Sequence, residues 1–149
     1  MALPEFLTKS IGEWSCNESR LMMHDHADRL CESKLTITPA VMGKFVLLSY
    51  HWRLDGKDQE GALLLGAKKD AAIASWVDTF HTSSSIMPLR GEYDATKVSL
   101  QGFYAAPPGP DWKWRFDIAG ENGQLRFTMA NITPDGHEEP AVAALYQRV

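Results

Sequence analysis

The chain is a succession of short segments in which apolar and polar residues alternate, each closed by a turn signal. Trp112-Lys113-Trp114-Arg115-Phe116-Asp117-Ile118 is the cleanest, with a large apolar side chain at every second position and charged residues between. A period of two is that of a half-buried strand with one dry face and one wet face. From about Gly43 to Val149 the pattern recurs with no long helical segment between strands. An open sheet of this size would leave two unpaired edges and one wet apolar face, and closure into a barrel removes both. A barrel has an inside, so function is expected there.

The predicted strands run Glu13–Met22, Leu30–Thr38, Phe45–Leu54, Gln59–Ala67, Ala72–Phe80, Ser85–Tyr93, Val98–Tyr104, Trp112–Ile118, Gln124–Ile132 and Glu139–Arg148. Residues 3–10 suit one or two turns of helix, with Pro4 in the first turn and Gly12 as the stop. Asp55-Gly56 is a hairpin signal. Pro39 is expected to break the second strand, and Pro107-Pro108-Gly109-Pro110 forms a stiff loop outside any ladder. The links are mostly hairpin-sized, which favours an up-and-down barrel over a two-sheet sandwich with Greek-key crossovers. No linker or low-complexity tract interrupts the series, so one all-β domain is expected over residues 1–149.

Charge narrows the classes of partner. The net charge is −4 with no basic run, which argues against nucleic acid, because phosphate binding needs a concentrated Lys/Arg surface. No apolar stretch approaches the roughly 18 residues of a membrane-spanning helix. The opening Met-Ala-Leu-Pro-Glu-Phe-Leu-Thr-Lys carries neither a basic nor an apolar leader region, so a cytoplasmic location is expected. Cys16 and Cys31 are the only cysteines, and in a reducing compartment two free thiols are expected. A hairpin over residues 13–34 with its tip near Met23–His24 would instead let them face each other.

A series of local motifs resembles a known family. Gly12-x-Trp14 follows the short helix and opens the first strand, as in lipocalin-like (calycin) barrels. Gly43-Lys44-Phe45-Val46, Asp55-Gly56, Leu63 to Asp70, Trp76-Val77-Asp78, Leu89 to Asp94 and Thr133 to Glu138 follow in order. Together they resemble a mostly bacterial family known only as a domain of unknown function with a lipocalin-like barrel. The resemblance covers about Gly12 to Arg148 and implies a calycin-type barrel without an established activity. Related barrels bind small hydrophobic molecules, fatty acids or haem, the last through one axial histidine. None of the five histidines here aligns with that position.

The residues themselves suggest a pocket wall. Trp14, Tyr50, Trp52, Trp76, Phe103, Tyr104, Trp112, Trp114, Phe116, Phe127 and Tyr146 form an aromatic set. Such residues fill barrels, and they also line small-molecule sites. In Trp76-x-Asp78-x-Phe80 the alternation puts Asp78 on the face of Trp76. A carboxylate inside a barrel needs a partner, and Arg90, Arg115 and Arg20 are the candidate cations. The alternative for Asp78 is a strand-end residue accepting hydrogen bonds from the Thr82-Ser83-Ser84 turn. His81 stands just beyond and would overhang the barrel mouth. The ligand-binding set read from the sequence is therefore Trp14, Tyr50, Trp76, Asp78, His81, Arg90, Trp112, Trp114 and Phe127.

Other motifs carry less. His24-x-His26 with Asp25 and Asp28 falls short of a closed three- or four-ligand metal site. His51 alternates out of phase with Tyr50 and Trp52, and His137 sits in a turn. There is no Gly-x-Ser-x-Gly and no glycine-rich phosphate loop before a helix. No carboxylate pair is specified by spacing, which leaves acid–base catalysis unsupported. The leading expectation is a binding module for a small hydrophobic or amphipathic molecule held inside the barrel. A haem-binding barrel with redox or isomerase chemistry is the second. A barrel plugged by its own side chains, serving a structural or interaction role, is the third. A homodimer is compatible with all three.

Overall fold

The structure is a computed structural model that describes residues 3–23 and 26–149. A four-residue helix, α1 (Glu5–Thr8), precedes ten strands: β1 (Gly12–Leu21), β2 (Arg29–Ala40), β3 (Phe45–Leu54), β4 (Lys57–Lys68), β5 (Ala71–Asp78), β6 (Met87–Tyr93), β7 (Lys97–Tyr104), β8 (Trp112–Glu121), β9 (Gln124–Ile132) and β10 (Glu138–Arg148). Every strand pairs antiparallel with its sequence neighbour, and β1 pairs with β10 to close the barrel. The expected architecture is therefore the observed one. Asp55-Gly56 and Asn122-Gly123 both take positive φ at two successive residues, which gives the turns the twist that antiparallel neighbours need. No helix among the described residues is long and apolar enough to cross a membrane.

Alternation sorts the side chains. In β3 Val46, Leu48, Tyr50 and Trp52 are buried, while Ser49, His51 and Arg53 are exposed. In β8 Trp114, Phe116 and Ile118 point inward. A bulge breaks the phase in β1. Cys16 pairs with Ser33 and Ser19 with Cys31, so Asn17 and Glu18 together oppose Glu32. The extra residue switches the inward set from Trp14 and Cys16 to Ser19 and Leu21. Both cysteines are buried and free, and Cys31 lies two residues along β2 from Ser33, the partner of Cys16, so they do not stand opposite each other.

Pro39 does not end β2, which continues to Ala40 with Pro39 opposite Val46. The ladder with β1 stops at Ile37, so the last residues of β2 have a neighbour on one side only. An edge position tolerates the missing N–H. Pro88 pairs with Ser75 of β5 but lies before the first β6–β7 pair, and Pro140 lies beyond the last β1–β10 pair. The strand prolines thus sit where one ladder is absent.

The two ends of the barrel differ. At one end α1 forms a stopper, with Leu7 fully buried and Phe6 resting on Gly120, where a Cβ would stand 3.0 Å from its ring. The Trp14 indole N–H donates to the Ser10 carbonyl at 2.8 Å. The Arg148 guanidinium lies 4.4 Å over the Trp14 ring and donates to the carbonyls of Lys9 and Ile11. At the other end, the mouth, the loops after β1, β3, β5, β7 and β9 emerge.

Candidate functional site

The mouth half is built around Asp78, the last residue of β5. Tyr50, Gly61 and Asp78 form one row across β3, β4 and β5. Gly61 has no side chain, so the Tyr50 ring lies across it, and a Cβ there would overlap that ring. The Tyr50 hydroxyl thereby spans the intervening strand and donates to Asp78 Oδ2 at 2.5 Å. It also accepts the Trp76 indole N–H at 3.0 Å.

The other Asp78 oxygen organises the loop. Oδ1 accepts the backbone N–H groups of Phe80 and His81, each at 2.8 Å. It also lies 3.2 Å from His81 Nδ1. The Asp78 carbonyl accepts from the N–H groups of Thr82 and Ser83, and Thr82 Oγ1 accepts the Asp78 N–H at 2.8 Å. These bonds end β5 at Asp78, two residues short of the predicted Phe80, and fold residues 79–86 over the mouth. Thr82 and Ser83 take part through backbone groups and Thr82 Oγ1, while Phe80 and His81 donate to the carboxylate.

Burial pushes the Asp78 carboxyl up, but the hydrogen bonds and charge of His81, with the Tyr50 hydroxyl, outweigh it and hold the group below its ordinary value. Burial, followed by the Asp78 charge, pushes the Tyr50 phenol well up. A carboxyl lowered on folding stabilises the protein above its unfolded pKa of about 3.9 and loses that contribution as pH falls through the folded value. Melting temperature is therefore expected to fall below about pH 4, and Asp78→Asn to flatten part of that fall. An identical acid profile for the variant, followed by calorimetry, would contradict this.

His81 sits in an aromatic surround. Its ring lies 4.9 Å from Phe80, 5.1 Å from Trp114, 5.9 Å from Trp76 and 6.3 Å from Trp52. Trp76 and Trp114 stack at 5.1 Å and 14°. Deeper in the lumen, Ser33 Oγ and Tyr146 Oη are hydrogen-bonded at 2.6 Å. Between these groups lies an internal void of about 30 Å³, walled by Ser33, Cys31, Tyr50, Asp78, His81, Phe127 and Tyr146 among others. Two grooves open at the mouth. One of about 440 Å³ is bordered by Met22, Met23, Phe80, His81 and Glu139. The other, about 480 Å³, is bordered by Trp76, Phe80, His81, Ile86, Phe103 and Trp114. His81 is a wall of all three spaces.

Of the residues singled out by sequence, Tyr50, Trp76, Asp78, His81, Trp114 and Phe127 come together here. Trp14 is at the closed end, under Arg148. Trp112 is half-buried at the rim. Arg90 is exposed on the outer wall, because Leu89 takes the inward phase of β6. Asp78 pairs with Tyr50 and His81 rather than with an arginine: Arg20 meets Asp28, and Arg115 meets Asp117 and Glu138. His26, His51 and His137 are exposed, and His24 and Asp25 lie outside the described residues. No group of three potential metal ligands occurs among the described residues.

Trp52, Ser33, Cys31 and Tyr146 belong to the site but not to the predicted set. Trp52 and Tyr146 were legible as aromatics in phase with Tyr50 and Ala144, and Ser33 as a small polar residue in phase with Leu35.

The family model described as "Protein of unknown function (DUF1579)" matches residues 4–148. No curated protein matches the chain. Among solved structures, the crystal structure of Rv2717c from M. tuberculosis is similar with a TM-score of 0.68 and 14% identity, over 100% of this chain and 99% of that one. At that identity the likeness speaks for the fold.

Proposed function

We propose, for a chain that belongs to the DUF1579 family of proteins of unknown function, that it binds a small hydrophobic or amphipathic molecule in the mouth half of its barrel. One observation carries this reading: His81 is the common wall of the internal void and both mouth grooves. Movement of His81 together with loop 79–86 is the route by which they would connect. Ligand sites usually offer about 300–1,000 Å³ lined by apolar and aromatic groups with a few polar anchors. The grooves fall in that range, and Asp78, Tyr50, Ser33 and Tyr146 supply anchors. Kinship with lipocalin-like barrels belongs to the same reading, supported by closed up-and-down strand order and by Gly12-x-Trp14 behind α1.

The plugged-barrel reading has its own support, since the void of about 30 Å³ holds little more than a water molecule with loop 79–86 in place. Haem finds less support, because that void admits no porphyrin with loop 79–86 in place.

Native mass spectrometry of freshly purified protein, then a thermal-shift panel of uncharged and charged amphiphiles, tests the binding reading. A ligand at about one hundred times its Kd is expected to stabilise by about 2.7 kcal/mol. That is a rise of roughly 5–11 °C for a chain of this size. No copurified mass and no stabilisation across the panel would favour the plugged barrel.

A further inference from the structure

The polar end of the ligand can be specified further, on the footing of the binding reading above. Trp114 is 4% exposed, and its indole N–H is a buried donor with no hydrogen-bond partner, the one such side-chain atom among the described residues. Its stacking neighbour Trp76 has the same chemistry but donates to the Tyr50 hydroxyl. A buried N–H without an acceptor bears its full desolvation cost, so such groups call for an explanation. Trp114 borders the 480 Å³ groove beside His81 and Trp76. The nitrogen itself is covered, and a ligand oxygen reaching it once His81 and loop 79–86 move aside would complete the bond that the free protein lacks.

Charge restricts which oxygen. The walls of the void and the two grooves include Asp78, Glu138 and Glu139, and no lysine or arginine among the described residues. Arg115 pairs with Glu138, which is exposed, and lies 3.3 Å from Asp117. His81 faces Asp78 through Nδ1, so that nitrogen is engaged with the carboxylate rather than with a ligand. His137 is exposed at the rim. Lys113 stands over the Phe103 ring, 5.6 Å from its centroid, rather than on a wall of these spaces, so an anionic head group would be desolvated beside Asp78 without a cation in contact. A cationic head group would offer Trp114 no acceptor.

We infer that the site takes an uncharged amphiphile whose polar end carries an acceptor oxygen, such as the carbonyl of an amide, ketone or ester, accepting from Trp114 Nε1. Decanamide, decanoate and decylammonium share a chain and differ in the head, and calorimetric titration of the intact protein ranks them. Decanamide is expected to bind at least about tenfold more tightly than either ion, because decylammonium lacks the acceptor, worth about one net hydrogen bond, and decanoate would bring an unpaired charge beside Asp78. Trp114→Phe is expected to lose about that factor for decanamide and to leave decylammonium unchanged. The Trp114 indole N–H proton resonance is expected to move downfield with decanamide and not with decylammonium, a readout that needs no variant. Decanoate or decylammonium binding as tightly as decanamide, or an unmoved indole resonance, would overturn the inference while leaving the binding reading in place. If other amphiphiles bind and these three do not, the inference is likewise overturned. Failure of every amphiphile in the wider panel would remove the binding reading itself, and this inference with it.

Discussion

Asp78→Ala is expected to lower the melting temperature by about 6–12 °C, corresponding to about 3 kcal/mol for a chain of this length. Asp78 is 2% exposed. Its removal strands the Tyr50 hydroxyl and the His81 ring, and it releases the backbone N–H groups of Phe80 and His81. Leaving buried donors without their acceptor is what makes such a deletion costly. Ligand binding should fall as well, because the same bonds hold loop 79–86 and orient His81. Asp78→Asn keeps an oxygen for the backbone donors and should lose less than half as much. Scanning calorimetry checks both variants, and an alanine loss below about 2 °C would show that the network contributes little to stability.

Gly61→Ala is expected to destabilise by about 3 kcal/mol, the upper end for forcing an extra carbon into a packed interior. The added methyl group would overlap the Tyr50 ring, which in turn holds Asp78 and Trp76. Backbone preference cannot explain such a loss, since alanine is tolerated in strands. The two sites should therefore couple. Tyr50→Ala alone costs several kcal/mol through its cavity, but with the ring gone the methyl group at position 61 meets no obstacle. The double variant should cost less than the sum of the singles by about 1–3 kcal/mol. Additive losses in denaturant unfolding would mean that the ring does not lie across Gly61.

This coupling shows what could be read before the structure and what could not. Trp76 and Asp78 share a face by alternation alone, and β3 and β9 have the predicted boundaries because turn residues bracket them. Partnership between Asp78 and Tyr50 is different. It depends on two registers that both place Gly61 between them, and register comes from the whole closed sheet. The charge of Arg90 suits it as an ion partner, yet its strand phase sends it outward. The bulge at Asn17–Glu18 likewise has no local signature, although it decides that Ser19 and Leu21 face the lumen. Pro39 misled because a strand-breaking residue is harmless where the neighbouring ladder has already ended.

The unpaired Trp114 N–H and the position of His81 between three spaces depend on packing rather than on pattern. They turn an aromatic-rich barrel into a specific claim: the mouth half opens around His81 to admit a ligand. A crystal structure grown with the most stabilising amphiphile tests that claim most directly. The expected result is ligand density between His81, Trp76 and Trp114, with loop 79–86 displaced and the void joined to the grooves. An unmoved loop over an unchanged void, with the ligand on the outer wall or absent, would contradict it.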